Sequence, residues 1–194
     1  MRTSKRPPRA RDASRQRTRI ASLVELMRSG TASGKEEAVT TLRNLPFNND
    51  NQVAIAALGG IVPLIELTRS GTACAKEQAA GTLGNLACID GNQVAIAALG
   101  GIVPLIELTR SGTASAKAAG AEALQSLAYN NADNKVAIAA EGGIAPLIEM
   151  TRSGTASAKE AAAWALRGLA CKNDDNRVAI AAEGGIAPLI ELTR

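Results

Sequence analysis

The sequence predicts an all-α solenoid of stacked three-helix units, about 42 residues per unit, and three observations predict it. The phrase NQVAIAALGGIVPLIELTRSGTA occurs at 51–73 and again, letter for letter, at 92–114, with looser copies beginning at Asn134 and Asn176. The marker residues keep step: Asn51, Asn92, Asn134 and Asn176 lie 41, 42 and 42 residues apart, and Pro63, Pro104, Pro146 and Pro188 follow the same period. A fixed period of this length marks units that bury their apolar faces on one another. Finally, 46 % of residues are hydrophobic but only 2 % aromatic (Phe47, Tyr129, Trp164). A core of Ala, Leu, Ile and Val suits close-packed helices better than a β-sandwich.

The full units are 51–91, 92–133 and 134–175. Residues 20–50 match the later part of a unit and 176–194 the earlier part, so the repeat domain spans 20–194 behind a basic tail at 1–19. Within a unit, a short helix opens after Asp or Asn, whose side chain can cap free N–H groups, and stops at a glycine pair such as Gly59–Gly60. A second helix runs through IVPLIELTRS with proline in its first turn, where the missing N–H does little harm, and stops at Gly71 and its equivalents. The third opens at the Thr-Ala-Ser stretch and reaches about Leu86. Ser33 with Glu36, and Ser157 with Glu160, have capping-box spacing; Cys74 takes the serine's place in one copy and Ala118 the glutamate's in another.

The third helices align as EEAVTTLRNL (36–45), EQAAGTLGNL (77–86), AAGAEALQSL (118–127) and EAAAWALRGL (160–169). Leu42, Leu83, Leu124 and Leu166 are constant, as are Leu45, Leu86, Leu127 and Leu169, which defines a buried stripe. Three slots on an adjoining face change: Thr40/Gly81/Glu122/Trp164, then Arg43/Gly84/Gln125/Arg167, then Asn44/Asn85/Ser126/Gly168. Offsets of zero, three and four share one helical face. A range from Gly to Trp favours a ligand-reading face over neutral drift on a solvated strip, although Glu37, Gln78, Ala119 and Ala161 vary as well.

The pattern resembles the armadillo repeat, most clearly in Asn51, the GGI-x-P-L run at 59–64 and the A-x-x-L-x-N-L run ending at Leu86. The resemblance implies a right-handed superhelix whose third helices line a concave groove, and in that family the groove binds extended peptide segments. It implies roles by position. Asn44 and Asn85 match an asparagine that pairs with ligand backbone, since an amide offers both donor and acceptor. Trp164 matches a tryptophan four residues earlier in the helix. The two never occur in one unit here, and Ser126 and Gly168 replace the later amides, so a regular Trp–Asn ladder is not expected. The groove set is therefore Asn44, Asn85, Trp164, Thr40, Arg43, Gly81, Glu122, Gln125, Ser126, Arg167 and Gly168. Asn44 and Asn85 are expected to hold backbone and Trp164 to offer an apolar plate.

Composition narrows the function. The chain has no histidine, which removes Ser-His-Asp, Cys-His and His-containing zinc devices, and it has no phosphate-cradling glycine motif. No catalytic, metal or cofactor site is expected. The net charge of +4 is carried by residues 1–19, which contribute +7 against −3 for the rest. That argues against nucleic acid as a ligand of the repeat body and, with Glu122, leans toward basic peptide ligands. The tail reads as a disordered extension; nuclear localisation (KRPPRAR), a phosphate-binding arm and docking into the protein's own groove are its functional alternatives. No apolar run reaches membrane-span length and the N-terminus has no secretory apolar centre, so the expected location is cytoplasmic, nuclear or both. Cys74, Cys88 and Cys171 are too irregular for a disulfide framework, and Cys88 and Cys171 read as core-edge residues. RSGT, present four times, resembles a kinase target but is explained by a helix stop followed by a cap. The expected function is a non-catalytic protein-interaction scaffold. The alternative is a stretch of a longer array used for spacing or for end-to-end self-association through 176–194.

Overall fold

The computed structural model describes residues 10–45 and 48–192, and these residues form thirteen α-helices and no strands. They are α1 (Ala10–Ser29), α2 (Ala32–Arg43), α3 (Asn49–Ala57), α4 (Ile61–Ser70), α5 (Ala73–Leu86), α6 (Asp90–Ala98), α7 (Ile102–Ser111), α8 (Ala114–Ala128), α9 (Ala132–Ala140), α10 (Ile144–Ser153), α11 (Ala156–Ala170), α12 (Asp174–Ala182) and α13 (Ile186–Glu191). The expected order of short, medium and long helix therefore recurs through the chain. No single described helix is long and apolar enough to cross a membrane.

The corner between first and second helices depends on the glycine pair. Gly59, Gly100, Gly142 and Gly184 sit at φ between +72° and +75°, the left-handed region that side chains with a Cβ avoid. Gly59 N–H donates to the Ala56 carbonyl and Gly60 N–H to that of Ile55, both at 2.9 Å, which closes the first helix in a Schellman motif. Gly60 is needed for space instead: a Cβ there would lie 2.7 Å from Ile55 Cγ2. The chain leaves this corner at 82° between α3 and α4, and at 80° between α6 and α7. Proline then falls in the first turn of the second helix, as at Pro63 in α4.

The third helices α2, α5, α8 and α11 lie side by side as a ladder, each backed by its own second helix. The stripe of leucines forms their buried side: Leu42, Leu83, Leu86, Leu124, Leu127, Leu166 and Leu169 are each at most 2 % exposed, and Leu45 is half-buried. Opposite them the second helices bury Leu64, Leu105 and Leu147 completely.

Two sets of polar bonds tie each unit to the next. Arg28, Arg69, Arg110 and Arg152, at the ends of α1, α4, α7 and α10, donate to the carbonyls of Gly59, Gly100, Gly142 and Gly184 at 3.1–3.3 Å. The repeated arginine of RSGT is thus a clamp across units. The repeated asparagine is a second tie: the buried Asn92, Asn134 and Asn176 donate through Nδ2 to the carbonyls of Leu86, Leu127 and Leu169 at 2.9–3.2 Å. Those carbonyls end third helices, where backbone acceptors lack an intrahelical donor. Next to the asparagine, Gln52, Gln93 and Lys135 reach the third-helix end of their own unit, at the Asn85, Ser126 and Cys171 carbonyls.

The structure corrects three expectations. Residues 10–19, assigned to a disordered tail, are the first half of α1; residues 1–9 lie outside the described residues, and with them most of KRPPRAR. Between Ala10 and Arg19 there is neither proline nor glycine, Gln16 is half-buried, and the segment extends a helix already anchored by Ile20, Val24 and Met27. Adding residues to an existing helix costs far less than nucleating one. Third-helix caps are Thr31, Thr72, Thr113 and Thr155, each accepting from the N–H three residues on at 3.1–3.3 Å. The capping-box reading of Ser33 and Ser157 is two residues late, and Glu36 instead accepts a hydrogen bond from the Thr72 hydroxyl in the next unit. Cys88 and Cys171 are exposed, as is Cys74, and all three are free thiols; Cys88 follows the end of α5 and Cys171 is the C-cap of α11, so both lie past the last buried leucine and outside the core edge. Phe47, in the same slot, lies outside the described residues.

Candidate functional site: the exposed face of the third-helix ladder

Because the leucine stripe faces the second helices, the varying slots are left on the ladder's other side. Each helix presents something different there. On α2, Asn44 is exposed at the C-cap, and Thr40 and Arg43 are half-buried. Arg43 crosses to the next rung: Nη1 donates to Gln78 Oε1 at 3.1 Å and lies 3.7 Å from Glu77 Oε1. Its guanidinium lies over Gly81, where a Cβ would come within 2.7 Å of Cζ. Arg43 is therefore neutralised and partly covered, and the glycine makes room for it.

On α5, Gly81 and Gly84 are buried and Asn85 is half-buried. At Gly84 α5 and α8 pack closely, since a Cβ there would lie 3.2 Å from Ala123 Cα. On α8, Glu122 is exposed and Gln125 and Ser126 are half-buried. On α11, Trp164 is 45 % exposed, so it belongs to the surface and not to the core. The exposed Arg167 holds its guanidinium 4.8 Å from the centroid of that ring, a cation–π contact. Gly168 is half-buried and has open space beside it.

A cleft of ≈350 Å³ opens between α5 and α8. It brings together Gly81, Asn85, Glu122, Gln125 and Ser126 from the expected set, with Gly84 as part of its wall. Thr40, Arg43 and Asn44 lie on one neighbouring rung and Trp164, Arg167 and Gly168 on the other. Sequence reasoning missed Tyr129, 67 % exposed at the rim, and Cys88 beside it. The available signal was that Tyr129 is the sole tyrosine, in a slot that ends each third helix. Burial raises the Cys88 thiol above its ordinary value, and burial together with the Glu36 carboxylate raises Cys74, so neither is poised as a thiolate nucleophile. Among the described residues no group of three or more His, Cys, Asp or Glu could hold a metal ion.

A larger crevice of ≈460 Å³ lies at the RSGT turns between α7–α8 and α10–α11, with a counterpart of ≈270 Å³ between α1–α2 and α4–α5. Both are built from the repeated phrase and offer nearly the same groups at each turn, so they follow from stacking. The third-helix ladder instead presents different groups on each rung.

Comparison with known proteins agrees with this geometry. Residues 131–171 match the family model of the armadillo/beta-catenin-like repeat. No curated protein sequence matches the chain. Among solved structures, an engineered protein from a structural genomics consortium is 28 % identical, with a TM-score of 0.84 over 89 % of this chain and 71 % of its own. A designed armadillo repeat protein in complex with the peptide (KR)4 is 18 % identical, with a TM-score of 0.83 over 94 % of this chain and 82 % of its own. A third structure, of computationally designed armadillo repeat proteins for modular peptide recognition, is 17 % identical, with a TM-score of 0.82 over 89 % and 74 %. The fold is thus a right-handed α-solenoid of the armadillo class. One unit, the one that carries Trp164, matches the armadillo repeat model, and the described residues share the fold of designed armadillo repeat structures.

Proposed function

We propose that the protein binds an extended peptide segment of a partner along the exposed face of α2, α5, α8 and α11, and that it performs no catalysis. The observation that carries this reading is the free amide of Asn85. Its side chain makes no hydrogen bond within the described residues, although its carbonyl is engaged by Gln52. A half-buried, unpaired amide on a varying face supplies the donor and acceptor that an extended backbone needs. Asn44 repeats that group one rung away, Trp164 adds an apolar plate, and Glu122 favours a basic side chain. The designed neighbour complexed with (KR)4 lends support by analogy of fold. Titrating a fluorescein-labelled (KR)4 peptide into the full chain, read by anisotropy and by Trp164 emission, tests the reading. Saturable binding that Asn85→Ala weakens supports it; no change in either signal at millimolar peptide refutes it.

Self-association through 176–194 is the second reading. Ile186 and Ile190 are 55 % and 51 % exposed, whereas the matching Ile61, Ile65, Ile102, Ile106, Ile144 and Ile148 are at most 5 % exposed. Sedimentation equilibrium across a hundredfold concentration range, repeated with Ile190→Glu, separates association at that face from a monomer.

A further inference from the structure

We infer that the segment bound on this face is charge-polarised: a Lys or Arg side chain seated at Glu122, and an Asp or Glu side chain about three residues away seated at Arg167. The inference rests on the peptide-binding reading above and adds the chemistry of the ligand.

The ladder carries three charged groups among its varying slots, and they are not equivalent. Arg43 is bound to Gln78 and Glu77 within the protein. Glu122 and Arg167 have no ion-pair partner among the described residues, and they do not pair with each other. Each is exposed, and they stand on neighbouring rungs. What surrounds them sorts the ligands. Glu122 borders the ≈350 Å³ cleft between α5 and α8, which Asn85, Gln125 and Tyr129 also line, and its exposed carboxylate is open to a cation entering there. Tyr129 at the rim, 67 % exposed, offers a ring face to a cation. A carboxylate on the ligand would meet Glu122 there and be repelled.

Arg167 is the opposite case. Its guanidinium is held 4.8 Å from the Trp164 centroid, which restrains its plane while leaving N–H groups for a carboxylate fork. Gly168 next to it keeps the approach open, the nearest atom to a Cβ there being Gln125 Cγ at 4.0 Å. Packed helices lie about 8–10 Å apart, and an extended chain advances about 3.3 Å per residue. The two seats therefore fit side chains about three residues apart. A uniformly basic segment would place a cation against Arg167, a like-charge contact that selects against it.

Four labelled octapeptides on one neutral backbone test this: Lys-x-x-Glu, Glu-x-x-Lys, Lys-x-x-Lys and Gln-x-x-Gln, measured by anisotropy with the full chain at low and moderate salt. One mixed order is expected to bind roughly tenfold more tightly than Lys-x-x-Lys, the scale of exposed charge pairs gained and a like-charge contact avoided. The double variant Glu122→Lys with Arg167→Glu, both exposed positions, should transfer the preference to the other mixed order. Should that variant fold poorly, the single changes Glu122→Gln and Arg167→Gln should each bring the favoured mixed peptide to within about twofold of Lys-x-x-Lys. Equal or tighter binding of Lys-x-x-Lys to the native chain overturns the polarity and leaves the groove reading intact. Failure of all four peptides, and of (KR)4, removes the groove reading and the polarity with it.

Discussion

The two sides of each unit are made of the same residue types and follow opposite rules. The phrase shared by first and second helices repeats almost unchanged, and its buried and capping positions each have a partner in their own unit or the next. Its glycines turn a corner at 80–82°, its asparagine ties off a third helix, and its arginine clamps the following corner. The third helix obeys that rule on its leucine side only. On the other side Gly81, Glu122 and Trp164 replace one another, and a side chain there meets a neighbour at two glycines, Gly81 under Arg43 and Gly84 against Ala123. Contacts between units therefore lie at constant positions, and the varying slots of the third helices lie on the surface those contacts hold out.

That contrast can be broken by ordered substitutions. The largest loss is expected from Leu105→Ala, which empties a fully buried site in α7 and should cost about 2–5 kcal/mol in urea unfolding followed by circular dichroism. Asn134→Ala comes next: it leaves the buried Leu127 carbonyl without its 2.9 Å donor and should cost about 1–3 kcal/mol in the same assay. Arg110→Ala removes an exposed clamp to Gly142 and an ion pair with Glu107, and should cost at most about 1 kcal/mol, less at high salt. Trp164→Ala should change the unfolding free energy by no more than about 0.5 kcal/mol, as befits a surface position. A larger loss there, with a blue-shifted and poorly quenched Trp164 emission in the native chain, would move that residue from the binding face to the scaffold.

Much of the fold was legible because its determinants are local or periodic. The glycine pair, the proline after it and the leucines three apart each announce a backbone conformation or a buried face within a few residues. The clamp was not legible, because Arg69 and the Gly100 carbonyl are 31 residues apart and RSGT is fully explained by a helix stop. Nor was the cap, since Thr-Ala-Ser offers two hydroxyls and only backbone geometry selects Thr31 over Ser33. Residues 10–19 misled for a different reason: their composition resembles a solvated tail, while their helix is supported by Ile20 and Val24 beyond the chosen boundary. At the site, the varying slots pointed to the face, but occupancy depended on distant partners. Arg43 looked available and is held by Glu77 and Gln78; Tyr129 looked incidental and rims the cleft.

Two asparagines give the most direct test of the division between constant and varying surfaces. Asn85 lies on the ladder's varying face with a free amide, and Asn92 lies seven residues later in the repeated phrase, buried, with Nδ2 3.0 Å from the Leu86 carbonyl. The measurement is the urea midpoint and the affinity for one labelled peptide, for Asn85→Ala and Asn92→Ala side by side. The account predicts that Asn85→Ala keeps its midpoint and loses affinity, while Asn92→Ala lowers its midpoint and keeps its affinity under native conditions. If Asn85→Ala instead unfolds early with affinity intact, the varying face is scaffold and the central claim fails.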